Sequence, residues 1–329
     1  MMRFVRLITV YAIAFSISLL AGWAIRAAWQ PGAPDAAGYP PEASGIAAEA
    51  YEPERDMGMS GQMGSGEPIA VMAGRRADGH SSEAGAGTGA HRHEEGGDTG
   101  SINADWSING GKQPKAGQPA VIRIAVTSGG QPVEHFASSH EAKQHLIIVS
   151  RDLSYFAHVH PVDFGGGRFE VKTVFPAGGD YRLIADFEPE GAGPVHRMTW
   201  IQAAGRKAPE VPLQPDDRLA RLADGVRVQL TAESPLQAGN EVTLAYKLAD
   251  EKTGAPVTDL QPYLGAIGHV VILSSDARLY LHVHPLESQG SGPEAKFQTV
   301  FPQAGIYKIW AQFKREGSVI TVPFTVRVT

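Results

Sequence analysis

Residues 145–161 read HLIIVSRDLSYFAHVHP, and residues 269–285 read HVVILSSDARLYLHVHP. In each stretch an apolar run is followed by a short polar segment and then by alternating residues, which predicts two antiparallel strands joined by a turn. Between the outer and middle histidines the copies agree at three of twelve positions, namely Ile148/Ile272, Ser150/Ser274 and Asp152/Asp276. Because the histidines repeat where most neighbouring side chains differ, the pattern indicates a chemical role for the imidazoles, and metal ligation is the first candidate.

We call each of the two stretches, residues 145–161 and 269–285, a cassette. The repeat extends to both sides of the cassettes. Residues 173–176 and 299–302 both read TVFP, and residues 131–133 and 255–257 read QPV and APV. A period of about 124 residues is too long for a solenoid and suits two tandem domains. We predict the first repeat at residues 101–205, a proline-containing linker at 206–217 and the second repeat at 218–329.

Each repeat has the pattern of an all-β domain. Short runs rich in Val, Ile, Thr, Tyr and Phe recur every 8–15 residues and are separated by Gly, Pro, Asp and Ser. About seven short strands in roughly a hundred residues predict an antiparallel β-sandwich that is Ig-like in the loose sense. The chain has no cysteine, so disulfides and thiolate metal sites are both excluded.

The first 26 residues predict export. Arg3 and Arg6 precede an uncharged, mostly apolar stretch at residues 7–25, which is followed by Arg26. This stretch is long enough to cross a bilayer as a helix, and it is also at the upper limit for a signal-peptide core. We favour an uncleaved signal anchor because no clean A-x-A cleavage site follows. The protein is then a single-pass cell-membrane protein with its bulk outside the cytoplasm, or a secreted or periplasmic protein if the segment is cleaved.

Residues 27–100 have the composition of a disordered stalk. They are rich in Ala, Gly, Glu, Pro and Ser and contain few large apolar residues to bury. Met57, Met59 and Met63 lie close together in this stretch, and thioether sulfur is a soft ligand that suits Cu(I). The alternative is that these methionines occur by chance in a low-complexity segment.

Composition and motifs argue against several classes of function. The net charge of −6 and the absence of a basic patch make nucleic acid an unexpected partner. No G-x-S-x-G pattern is present, and a metallohydrolase site would need further carboxylates or histidines beside the cassette. We therefore expect a protein that is not an enzyme.

The candidate metal ligands are the six repeated histidines. The two in each H-x-H lie about 6.6 Å apart along one face of a strand, the outward face opposite the apolar residues that pack into the core, which allows both imidazoles to bind one ion. If the hairpin turn has two residues, each outer histidine lies opposite the middle one on the same face, whereas a three-residue turn places it on the other face. The alternative is a purely structural role for the histidines. The candidates are His145, His158, His160, His269, His282 and His284.

Each repeat resembles exported bacterial β-sandwich domains of the YtkA-like and FixH-like kind. The resemblance rests on an early A-G-x, a G-x-P-V turn, the middle histidines and a late F-P-x-x-G-x-Y, and the H-V-H-P portion is its most specific part. It covers about 200 residues. The first repeat departs from it at residues 133–140, where VEHFASSH replaces the P-Y-L-G segment of the second. The resemblance implies handling of a heavy metal such as copper and implies no reaction.

These observations predict a membrane-anchored, extracytoplasmic protein that binds a metal, copper with zinc as the alternative, at one histidine cluster per repeat. It would sequester the ion or transfer it to an envelope metal-handling protein, and its membrane contact would be residues 7–25. The competing interpretation is a non-catalytic structural or interaction module, since Ig-like domains often serve that purpose.

Overall fold

The computed structural model describes residues 99–138, 141–286 and 289–329, and at Thr99, His282 and His284 it describes the backbone only. The predicted signal anchor or signal peptide at 1–26, and all but the last two residues of the stalk predicted at 27–100, lie outside the described residues. Within the described part of the chain, no helix has the length and apolar character needed to cross a membrane.

The first repeat is built from ten strands after a single 3₁₀ turn at Thr99–Ser101. The strands match the apolar, β-branched runs of the sequence, and several are short pieces at the sheet edges. They are β1 Ile102–Ile108, β2 Pro119–Ser128, β3 Gln131–Pro132, β4 Phe136–Ala137, β5 Gln144–Ser150, β6 Phe156–Val159, β7 Val162–Asp163, β8 Arg168–Val174, β9 Gly179–Pro189 and β10 Val195–Ala203.

The second repeat has eight strands in the same sequence of long elements. They are β11 Ala220–Ala223, β12 Val226–Ala232, β13 Glu241–Asp250, β14 His269–Ser274, β15 Tyr280–Pro285, β16 Glu294–Val300, β17 Gly305–Arg315 and β18 Ser318–Val328. The described chain is thus all-β, in two repeated sandwiches of the Ig-like type, as the sequence predicts.

All pairings within the sheets are antiparallel, and the two repeats differ at one point. The first repeat has one sheet in the order β1-β2-β8-β7 and a second in the order β10-β9-β5-β6. In the second repeat the order β11-β12-β13-β16-β15-β14-β17-β18 is continuous, because β15 pairs with both β14 and β16. The corresponding order in the first repeat is interrupted after Val159, because residues 160 and 161 belong to no strand and the next strand, Val162–Asp163, pairs only with β8.

Each repeat has its own apolar core between its sheets. Ile122, Leu146, Phe169 and Leu183 are among the buried residues of the first core. The second core contains the matching Leu244, Val270, Ala295 and Ile309, among others. The repeated F-P-x-x-G-x-Y motif closes both cores in the same way, since the Tyr181 hydroxyl donates to Ala177 O at 2.9 Å and the Tyr307 hydroxyl to Gln303 O at 2.8 Å.

A third apolar cluster joins the two repeats face to face. The ring of Phe156 stacks on that of Trp310 with 4.7 Å between centroids and 15° between planes. Across the same interface the Tyr280 hydroxyl donates to Asp186 Oδ2 at 2.7 Å. The buried members of the cluster are Ile147, Val149, Leu153, Phe156 and Ile184 from the first repeat, with Val271, Leu273, Ala277 and Trp310 from the second.

This interface corrects one expectation from the sequence. The alternation of β6 and β15 correctly directs Ala157, Val159 and Val283 toward the sandwich cores. The opposite face of the hairpin was expected to meet solvent, because it carries the histidines. In the first repeat, the second repeat covers that face instead, and only 4% of the surface of His145 is exposed to solvent.

Candidate metal centre

The turn of the cassette hairpin is formed by the serine and aspartate that the two copies share. Ser150 Oγ donates to Asp152 Oδ1 at 2.6 Å and accepts the backbone N–H of Tyr155 at 2.9 Å. Ser274 and Asp276 make the same 2.6 Å bond in the second copy, and Ser274 Oγ accepts the N–H of Leu279 at 2.9 Å. Two of the three shared residues are therefore explained by the turn.

The loop of each hairpin has four residues, 151–154 and 275–278, and this length sets the register. Leu146 pairs with Val159 and Ile147 with His158, so His145 stands opposite His160. The sequence left a two-residue and a three-residue turn open. Neither is correct, but a four-residue loop is even-numbered like the two-residue turn, and it therefore places the outer histidine on the same face as the H-x-H pair.

The three histidines of the first repeat converge on that face. One nitrogen from each of His145, His158 and His160 lies within 4.8 Å of the others. His145 Nδ1 and His158 Nε2 are 3.0 Å apart. Nitrogens bound to one tetrahedral zinc ion lie roughly 3.3 Å apart, because each is about 2.0–2.1 Å from the metal. Small side-chain movements would therefore bring the three nitrogens to a common ion.

A residue of the second repeat orients His158. Gln312 Nε2 donates to Thr321 Oγ1 at 3.1 Å, which directs Gln312 Oε1 to accept from His158 Nδ1 at 2.8 Å. With its proton on Nδ1, neutral His158 presents the Nε2 lone pair to the cluster. This is the arrangement by which an outer hydrogen bond fixes the tautomer of a ligating histidine.

Burial keeps the imidazoles in the form that binds metals. The pKa of His158 is held well below its ordinary value, first by burial and then by the neighbouring His160 and His145. Burial, with a further contribution from His145, lowers the pKa of His160 to about 4. Both rings are consequently neutral at pH 7, and metal binding there does not require a proton to leave a charged imidazole.

His160 has a side-chain nitrogen that is open to an additional partner. Its Nε2 atom is buried and has no hydrogen-bond partner among the described residues. A buried polar atom without a partner costs about 1–3 kcal/mol of folding free energy, so such atoms need a reason. A bound ion between the three imidazoles would provide the missing partner.

The second repeat brings His269 to the same cluster. The His269 ring stacks on that of His145, with 5.5 Å between centroids and 26° between planes. It is also 5.4 Å from the ring of His158. The buried carboxyl group of Asp186 lines a small cavity with His158, His269 and Tyr280.

The other candidate ligands have different positions. The backbone of His282 pairs with Val271 and that of His284 with Gln298, while their side chains lie outside what the structure describes. The second histidine cluster therefore stays a prediction. Met57, Met59 and Met63 also lie outside the described residues.

The sequence did not single out three residues around the cluster. Gln312, Asp186 and Trp310 lie on β9 or β17, far from the cassettes along the chain. A signal for the interface was present, since the runs LIIV and VVIL are apolar at every position and such runs are typical of strands covered on both faces. No comparable signal identified Gln312 as the partner of His158.

The fold and the cluster together define a tandem β-sandwich protein with a partly buried histidine cluster at the interface of its repeats. Residues 100–204 and 220–329 both match the family described as Domain of unknown function (DUF8832). These two copies make up more than half of the chain, and the protein belongs to that family. No curated protein matches the chain.

Several solved structures match part of this chain at low identity and with low TM-scores. Invasin, a bacterial integrin-binding protein, is 15% identical over 69% of this chain and 39% of its own, with a TM-score of 0.21. Domains 4 and 5 of the S-layer protein SbsC are 10% identical over 69% of this chain and 98% of theirs, also at 0.21. A two-domain fibronectin type III segment of chicken tenascin is 13% identical over 68% and 98%, at 0.20. None of these likenesses bears on function.

Proposed function

We propose that this protein binds a transition-metal ion through His145, His158 and His160 and holds it for sequestration or transfer outside the cytoplasm. The observation that carries the proposal is the convergence of one buried and two partly buried imidazoles, one nitrogen of each within 4.8 Å of the others. Three neutral imidazoles are a common donor set for Zn(II) and Cu(II), and the ligand-affinity order of divalent ions favours copper over zinc.

The role of a holder rather than a catalyst follows from the surroundings of the cluster. The imidazoles lie in the interface between two sandwiches, beside the apolar side chains of Val271 and Val283 that line the adjoining cavity. A metal enclosed in this way is protected from solvent, which suits storage or handover more than turnover of a substrate.

The cellular setting of the proposal comes from the N-terminal residues. An apolar stretch at 7–25 flanked by Arg6 and Arg26 supports a membrane anchor with the repeats outside the cytoplasm. The methionines at 57, 59 and 63 support copper as the cargo, since thioethers favour Cu(I). The resemblance to YtkA-like and FixH-like domains points the same way, and an envelope metal-handling protein is the partner we expect.

Titration of the purified chain with Cu(II) and Zn(II), in competition with a chromophoric chelator, tests the binding. His158→Ala removes the ligand that Gln312 orients, and we expect it to weaken binding by more than tenfold. His135→Ala is the matched control, because His135 is exposed and lies outside the cluster. Equal affinities for the wild-type chain and His158→Ala would contradict the proposal.

A further inference from the structure

The geometry points to His269 as a fourth ligand of this site, so that one metal ion joins the two repeats. This inference rests on the proposed metal binding and goes beyond it, because it makes the site a property of the docked pair. A ligand set within one repeat would leave the second repeat as a cover only. If both repeats supply ligands, docking of the two sandwiches and binding of the metal depend on each other.

The first support is the position of His269 relative to the triad of His145, His158 and His160. Two imidazoles on one tetrahedral ion have ring centroids roughly 5.2 Å apart, given metal–nitrogen distances of about 2.0–2.1 Å. The three pairs within the triad are separated by 5.2, 5.0 and 4.9 Å. His269 is 5.5 Å from His145 and 5.4 Å from His158, close to the same spacing. Among the side chains that the structure describes, the nitrogens within 4.8 Å of one another belong to His145, His158 and His160, so His269 has to turn toward the ion to complete the set.

The second support is the symmetry of the interface. His145 and His269 occupy the same position in their cassettes, and their rings stack on each other. Contact between equivalent residues marks the axis of an isologous, two-fold interface. The flanking residues agree, because the apolar cluster of the interface contains equivalent residues of both repeats, namely Ile147 with Val271, Val149 with Leu273 and Ile184 with Trp310. The outer histidine of each cassette is thus placed at the centre of the interface, next to the other cassette.

The third support is that the second repeat already takes part in the site. The hydrogen bond from His158 Nδ1 to Gln312 Oε1 fixes the tautomer of His158, and the Gln312 amide is held in turn by its hydrogen bond to Thr321. A small cavity beside the cluster is lined by His158 and His269 together. The first repeat therefore depends on the second for the orientation of a ligand, and His269 is placed to extend that dependence to the metal itself.

The absence of cysteine from this chain allows a direct test. The full chain carrying His269→Cys is loaded with Co(II), and its absorption spectrum is compared with that of the wild-type chain. A thiolate bound to Co(II) gives an intense near-ultraviolet charge-transfer band that imidazole does not give. We expect this band in His269→Cys and not in His196→Cys, a control at an exposed position whose ring contacts Tyr280 at the same interface.

Two further measurements make the outcomes decisive. His269→Ala should weaken Zn(II) binding by more than tenfold, while Tyr280→Phe, which removes the hydrogen bond to Asp186 and leaves the histidines intact, should change it by less than threefold. Co(II) bound by His269→Cys without the thiolate band, or equal losses in His269→Ala and Tyr280→Phe, would overturn the inference and leave the triad as the site. Failure of the wild-type chain to bind either ion would overturn the proposed function as well.

Discussion

Gln312 lies between His158 of the first repeat and Thr321 of its own repeat, and its amide connects the two. The exposed hydroxyl or amide of a surface residue could be satisfied by water, but Gln312 is buried. Its oxygen is therefore the acceptor on which the orientation of the His158 ring depends. Replacement of Gln312 tests whether an outer hydrogen bond governs the metal affinity of the cluster.

We expect Gln312→Leu to lower the free energy of unfolding by about 1–3 kcal/mol, because it leaves the His158 Nδ1–H buried without an acceptor. Metal affinity should fall by roughly 10–100-fold, as is typical when the outer partner of a ligating histidine is removed. Gln312→Glu keeps an acceptor at this position and should retain most of the affinity. Urea unfolding and chelator competition measure the two effects, and Gln229→Leu, at an exposed glutamine, is the control. Unchanged metal affinity in Gln312→Leu would show that the hydrogen bond has no part in binding.

At the scale of the element, the hairpin β5–β6 positions the cluster through its four-residue loop. Asp152 is the centre of that loop, since it accepts from the hydroxyls of Ser150 and Ser154 and from the backbone N–H of Val211 in the linker. Burial alone would raise the pKa of Asp152, but the hydrogen bonds from Ser150, Val211 and Ser154 outweigh it and hold the pKa below its ordinary value. The carboxylate therefore joins the turn to the segment between the repeats.

Asp152→Ala should destabilise the protein by about 1–3 kcal/mol, because the partly buried hydroxyls of Ser150 and Ser154 lose their charged acceptor. Metal affinity should fall in parallel, since the loop sets the register that places His145 beside His158. Asp217→Ala, at an exposed aspartate of the linker, should leave the free energy of unfolding within about 0.5 kcal/mol. Urea unfolding compares the two variants. If Asp152→Ala were as stable as Asp217→Ala, the loop would not be held by this carboxylate.

The elements show how far sequence reasoning reaches in this chain. Apolar alternation predicted the long strands and the two repeats because each sandwich buries one face of its strands against its own core, which is a local property. The length of the cassette loop was not predicted, since it depends on the bonds of Ser150 and Asp152 and on Leu153, which has a positive φ of 56°. Ala277 adopts the equivalent conformation at 54°.

At the scale of the whole molecule, two sandwiches with separate cores meet through the faces that carry the histidines. Burial of large side chains such as Trp310 and Phe156 in this interface contributes on the order of 1.5–3 kcal/mol each. The contact pairs residues that are more than 100 positions apart, such as His145 and His269. Sequence periodicity carries no information about such pairs, which is why the cassettes were expected to form one cluster per repeat and the approach of His269 to the triad was not foreseen.

The most direct test of a metal site between the repeats is anomalous diffraction at the zinc edge from crystals of the protein grown with Zn(II). We expect a peak about 2.0–2.1 Å from one nitrogen of each of His145, His158 and His160. A peak confined to surface histidines such as His135, with the buried cluster still bonded through His145 Nδ1 and His158 Nε2 at saturating zinc, would contradict it.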